Sequence, residues 1–125
     1  MKKVIHKADT RGHSQHDWLD SYHTFSFDEY FDSDRINFGA LRVLNDDKIA
    51  PGEGFQTHPH KNMEIITITL KGHLLHGDSK KNSRIITGGE IQTMSAGTGI
   101  MHSEYNRNDD RPTEFLQIWV FPNKQ

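Results

Sequence analysis

Gly52-Glu53-Gly54-Phe55-Gln56-Thr57-His58-Pro59-His60-Lys61-Asn62-Met63-Glu64 carries two histidines one residue apart and a carboxylate four residues after the second. The run Ile65-Ile66-Thr67-Ile68-Thr69-Leu70 follows, rich in β-branched residues that favour strands. Side chains on a strand alternate faces. His58, His60 and Glu64 therefore share a face if one strand runs through all three. Two imidazoles aimed the same way are half of a metal site, and another part of the chain must supply the rest.

His102 and Glu104 repeat the period-two spacing far downstream. Two strands, each presenting two such residues on one face, close a four-ligand site across a small barrel. Three neutral imidazoles and one carboxylate suit Fe, Ni, Mn, Cu or Zn. They do not suit the oxygen shells of Ca or Mg. Strand parity leaves both Glu64 and Glu104 open as the carboxylate ligand. Asn106 or Gln92 is expected to orient an imidazole from behind.

Outward from this stretch, the chain reads as short strands punctuated by Gly, Asn, Asp and Pro. Strands are expected at residues 3–6, around Phe25 and Phe27, and at 38–44. Asn45-Asp46-Asp47-Lys48 reads as a turn closing the last of these. Residues 9–16 read as polar and turn-forming. Further strands are expected from Met63 to Gly72 and at 73–76, 84–87, 90–94 and 115–121, with 100–105 following the Gly-rich turn 95–99. Regular short strands without a convincing helical period indicate an all-β, antiparallel sandwich or barrel with little helix.

Bulk composition fits this picture. A chain of 125 residues suits one domain. The apolar fraction of 33% is low and implies an economical core. A formal charge of −2 gives no electrostatic case for nucleic acid. There are no cysteines, which excludes disulfides, zinc–thiolate sites and thiol nucleophiles. No apolar run approaches the ~20 residues of a membrane helix, so no membrane partner is expected, and the expected location is cytoplasmic. Nine histidines are many for this length. His6, His13 and His16 read as solvated polar residues. His23 and His76 divide between core hydrogen bonding and pocket lining.

Gly52, His58, His60, Glu64 and Gly72 resemble the first motif of the cupin superfamily. Gly99, His102 and Asn106 resemble its second, without the usual Pro. The match to the pirin family is closer. Trp18-Leu19-Asp20-Ser21-Tyr22-His23-Thr24-Phe25-Ser26-Phe27, Phe38-Gly39-Ala40-Leu41-Arg42-Val43, Gln92-Thr93-Met94-Ser95-Ala96-Gly97-Thr98-Gly99-Ile100-Met101-His102-Ser103-Glu104 and Leu116-Gln117-Ile118-Trp119 are similar to that family's segments, in order along nearly the whole chain.

The resemblance implies a cupin jelly-roll and a divalent metal, usually Fe(II), held by His58, His60, His102 and Glu104. Glu64 then becomes a pocket neighbour. Bacterial relatives imply a quercetin 2,3-dioxygenase type of reaction on a small flavonol-like aromatic with O₂, with Glu104 or Glu64 as base. The alternative is a non-enzymic metal-binding regulator acting through protein contacts, as implied by the nuclear co-regulator of eukaryotes. Phe38, Phe55 and Met63 are expected to wall the pocket. Pirins carry a second, similar domain. Residues 1–125 are expected to form a single N-terminal cupin domain without it, and to pair as a homodimer through the face so exposed.

Overall fold

A computed structural model describes residues 3–79 and 82–123. The Lys80-Lys81 pair of the expected surface turn lies outside the described residues. The strands are β1 (Gly12–Gln15), β2 (Leu19–His23), β3 (Leu41–Ile49), β4 (Gly54–His60), β5 (Glu64–Lys71), β6 (His73–Asp78), β7 (Ser83–Thr87), β8 (Ile91–Ser95), β9 (Ile100–Tyr105) and β10 (Thr113–Val120). Helical structure among the described residues is limited to one 3₁₀ turn, Ala8–Thr10. The strands form a six-stranded sheet ordered β1-β2-β3-β10-β5-β8 and a four-stranded sheet ordered β4-β9-β6-β7. Every pairing is antiparallel. The all-β antiparallel architecture expected from the strand punctuation is present, in the two-sheet form that the cupin resemblance implies.

Chain direction is set by a few local features. Gly72, at φ 79°, is the single residue between β5 of one sheet and β6 of the other. Only glycine adopts that conformation without Cβ strain. Pro59 lacks an N–H and is tolerated because β4 is an edge strand.

The inner face of the larger sheet carries a polar band between apolar levels. At one end, Leu19 lies opposite Ile49 on the neighbouring strand. These two cluster with Leu74 and Phe115, and Trp18 and Phe55 pack against them. One step along, Ser21 faces Asp47, and Asp47 faces Phe115. The next level is a polar row across four strands: His23, Asn45, Gln117 and Thr67. Beyond it Val43 and Ile65, both paired with Trp119, are buried and apolar again. Buried polar groups are sustained only by partners or ligands, so the polar row between the two apolar levels marks a site.

Several local expectations are corrected. Residues 3–6 are not a strand, and Gly12–Gln15, read as turn, is β1. The Phe25–Phe27 segment is irregular, held by an isolated bridge between Phe27 and Tyr30. Asn45-Asp46-Asp47-Lys48 is no turn: β3 continues through it to Ile49. Asn45 and Asp47 point inward there, buried between β2 and β10.

Candidate metal centre

β4 and β9 bring the ligand-type residues together. Phe55 is paired with Glu104 and His58 with His102, although Phe55 to His58 is three steps along β4 and Glu104 to His102 only two along β9. A register shift between Phe55 and His58 absorbs the difference. Such a bulge reverses strand parity. It allows Phe55, Glu104, His58 and His60 all to line one interior cavity of ≈ 700 Å³.

Three imidazole nitrogens converge. His102 Nε2 lies 2.7 Å from His58 Nε2 and 2.7 Å from His60 Nε2. His58, His60 and His102 form a metal-competent cluster, with one ligand atom from each within 4.8 Å of the others. Orientation comes from behind. His58 Nδ1 donates to the Gln56 carbonyl at 2.8 Å, which leaves its Nε2 lone pair facing the cluster. His102 Nδ1 contacts Nε2 of buried His76 at 3.0 Å. His60 packs edge-on against Trp119 from the opposite sheet, with ring centroids 4.9 Å apart.

Burial favours the neutral form of His60, His76 and His102. Burial, reinforced by His58, lowers His60 to about 4. Burial and the neighbouring histidines lower His102 to about 3. Burial also lowers His76. Neutral imidazoles are the metal-binding form. Three imidazole nitrogens this close together are a donor set that a borderline divalent cation satisfies.

Glu104 is almost completely buried and lies beside this trio, its Oε1 3.9 Å from His102 Nε2. Gln117 Nε2 donates to both of its oxygens at 3.1 Å and reaches Thr67 Oγ1 at 3.3 Å. Burial raises the Glu104 carboxyl to about 7 despite the Gln117 and Thr67 hydrogen bonds. Glu64 is placed elsewhere. His60 ends β4, Asn62 turns at φ 53°, and Glu64 opens β5 in the other sheet. One continuous strand through His58, His60 and Glu64 does not exist. Ser95 Oγ donates to Glu64, which does not line the cavity.

The expected orienting residues are also corrected. Asn106 Nδ2 donates to the Ile49 and Arg111 carbonyls and ties loops instead, and Gln92 lies on β8 opposite Thr67. His76 takes that position. Phe55 walls the cavity as expected, whereas Phe38 and Met63 do not line it. Phe38 sits on a separate shallow groove with Val4, His6 and Leu44.

A second polar group shares the cavity and was not legible beforehand. Ser21 Oγ donates to Asp47 Oδ1. His23 Nδ1 donates to Asn45 Oδ1 at 2.8 Å, and Ser14 Oγ lies 2.9 Å from His23 Nε2. Burial raises Asp47 to about 7, opposed by the Ser21 hydrogen bond and assisted by the charge of Glu104. Trp119 Nε1 is buried without a hydrogen-bond partner among the described residues.

Fold and site together define a small cupin barrel with a three-histidine centre for a divalent metal. Its sequence pattern is that of pirin, matched over residues 4–120, and the chain belongs to the pirin family. It is 52% identical over 120 residues to a quercetin 2,3-dioxygenase of Escherichia coli K12, covering 96% of this chain and 52% of the relative. It is 56% identical over 113 residues to a putative quercetin 2,3-dioxygenase of Zymomonas mobilis, covering 90% and 48%. The crystal structure of the bacterial pirin YhhW from Escherichia coli in complex with nickel(II) superposes with a TM-score of 0.93. Its identity is 52%, over 95% of this chain and 52% of that one. The chain spans about half the length of these relatives. No helix among the described residues is long and apolar enough to cross a membrane.

Proposed function

We propose that the chain forms the metal-bearing half-site of a dioxygenase of quercetin 2,3-dioxygenase type, acting on flavonol-like aromatics. The observation that carries this reading is the convergence of three Nε2 atoms beside a cavity, lined by His58 and His60, that is large enough for a small aromatic. The names of the relatives support the reaction class.

His58, His60 and His102 would hold the ion, with Glu104 as fourth ligand. We propose Fe(II) as the working metal, with Ni, Mn, Cu or Zn able to occupy the same donors. The bound ion supplies Lewis acidity and a template for substrate and dioxygen. The protein's own groups do the rest. His76 holds the His102 ring in place through Nδ1. Gln117 fixes both Glu104 oxygens. Glu104 would take the proton of the substrate hydroxyl at the carboxylate oxygen that the ion leaves free. Trp18, Phe27, Phe55 and Trp119 supply aromatic walls that keep water from the ring. The expected setting is the cytoplasm, in keeping with a cysteine-free composition.

The test is turnover of quercetin by the chain loaded separately with Fe(II), Ni(II), Mn(II) and Cu(II), with O₂ consumption as readout. Flavonol loss coupled to O₂ uptake with at least one metal supports the reading. No turnover with any of them overturns it and leaves the regulator alternative.

A further inference from the structure

We propose that Asp47, backed by Ser21, is a substrate-binding subsite that accepts hydrogen bonds from ring hydroxyls remote from the metal, so that the cavity selects neutral polyhydroxylated aromatics. The inference rests on the dioxygenase reading above and names the ligand chemistry of the same cavity.

Asp47 is 4% exposed, yet its carboxylate lines the cavity that also holds His58, His60 and Glu104. A buried carboxylate normally has a cation or several donors. Among the described residues Asp47 has one donor, Ser21, and it reaches Oδ1. Oδ2 is left for a ligand. Asp47 lies two residues from Asn45 along β3, about 7 Å of strand. Asn45 is paired with Gln117, the residue that holds Glu104. The subsite is therefore about one aromatic ring away from the level of the metal centre. Phe115, paired with Asp47, and Leu19, beside Ser21, form an apolar floor at this point.

The charge of the cavity sets the ligand class. Its lining includes the carboxylates of Asp28, Asp47, Glu53 and Glu104, and no Lys or Arg among the described residues. A small dicarboxylate would enter against four acidic groups, with only the metal to attract it. A neutral ring bearing hydroxyl donors meets acceptors instead. Hydrogen bonds to a carboxylate are the stronger kind, and those to Asp47 are of that kind above about pH 7, where it is ionised. They also discriminate sharply, because a ligand lacking the hydroxyl leaves the buried acceptor unpaired.

The experiment is calorimetric titration of the Ni(II)-loaded chain, without oxygen, with quercetin, 3-hydroxyflavone and oxalate. 3-Hydroxyflavone keeps the hydroxyl next to the carbonyl and lacks the others. The unaltered chain is expected to bind quercetin about 10- to 100-fold more tightly than 3-hydroxyflavone, and oxalate is expected not to compete. Asp47→Asn, with unchanged nickel content, is expected to lose most of that preference by weakening quercetin alone. Equal affinity for the two flavonols in the unaltered chain overturns the subsite without relying on any variant's folding. So does a preference that survives in Asp47→Asn. If quercetin and 3-hydroxyflavone both fail to bind the loaded chain, the subsite and the flavonol reading fall together.

Discussion

Gly54 offers a test of how β4 and β9 hold the metal centre. It pairs with Tyr105 at the start of β4. A Cβ built there would lie 2.2 Å from the Glu104 carbonyl oxygen and 2.6 Å from Tyr105 Cα. Both obstacles are backbone, which cannot rotate away. An ordinary carbon–oxygen contact needs about 3.3 Å, so Gly54→Ala must part the strands by roughly 1 Å. Two backbone bonds flank this point: Gly52 N to Asn106 O at 3.0 Å, and Asn106 N to Glu53 O at 2.8 Å. Opening by that amount takes both beyond hydrogen-bonding range. Each is worth about 1 kcal/mol net. Residual overpacking adds roughly 1–2 kcal/mol. The expected loss is about 3–4 kcal/mol, which lowers the melting temperature by roughly 10 °C or more in a domain of this size. Because the displaced carbonyl belongs to Glu104 and His102 precedes it on β9, nickel affinity should fall as well, by about tenfold or more. Thermal unfolding and nickel titration of the variant, beside a Gly77→Ala control whose nearest contact is a side-chain oxygen at 3.4 Å, make the assay. A variant that melts within a degree or two of the parent and binds nickel equally well would refute the reasoning.

Other substitutions probe the supports separately. His76→Leu removes the partner of His102 Nδ1 and should weaken metal binding 10- to 100-fold, while His76→Gln, which keeps an acceptor, should recover much of it in the same titration. Gln117→Leu strips the donor from both Glu104 oxygens, so metal uptake should move to higher pH, and stability should fall by about 1–3 kcal/mol in urea unfolding. The metal-free chain should also show a defined pH dependence. Asp47 and Glu104 are raised to about 7 from 3.8 and 4.5, so their contribution is present below those ordinary values and is lost as pH rises through about 7. For Asp47 the ceiling is roughly 4 kcal/mol. His60 and His102 act in the opposite sense: lowered from 6.5, they favour the fold above that value and lose this as pH falls towards about 4 and 3. Unfolding at pH 4.5 and 7.5 should therefore show the parent losing stability relative to Asp47→Asn across that window, and parallel curves for the two proteins would count against a buried, raised carboxyl.

The sequence revealed the part of the site that obeys strand alternation. His58 with His60, and His102 with Glu104, sit at period-two spacing in strands β4 and β9, so their convergence was readable from the residues. The family resemblance added the jelly-roll fold, the choice of Glu104 over Glu64 and the expectation of a dioxygenase-type reaction. Glu64 obeyed the same arithmetic but lies past the Asn62 turn, in the other sheet, where numerical parity has no meaning. The bulge between Phe55 and His58 has no sequence signature, because Gln56 and Thr57 are unremarkable strand residues. Asn45 and Asp47 were hidden for a deeper reason. Asn-Asp-Asp-Lys is turn chemistry in water, and only a polar cavity makes it sensible for a central strand to bury two of those residues. The patterns that identify strands assume an apolar interior. They fail where the interior is the site.

The central claim is that three imidazoles, His58, His60 and His102, hold one divalent ion inside this barrel. Metal analysis of the chain after nickel loading and exhaustive dialysis tests it most directly, run beside a folded His58→Ala, His102→Ala double variant. The account predicts about one equivalent of nickel in the parent and essentially none in the variant. Equal nickel in both proteins would contradict it.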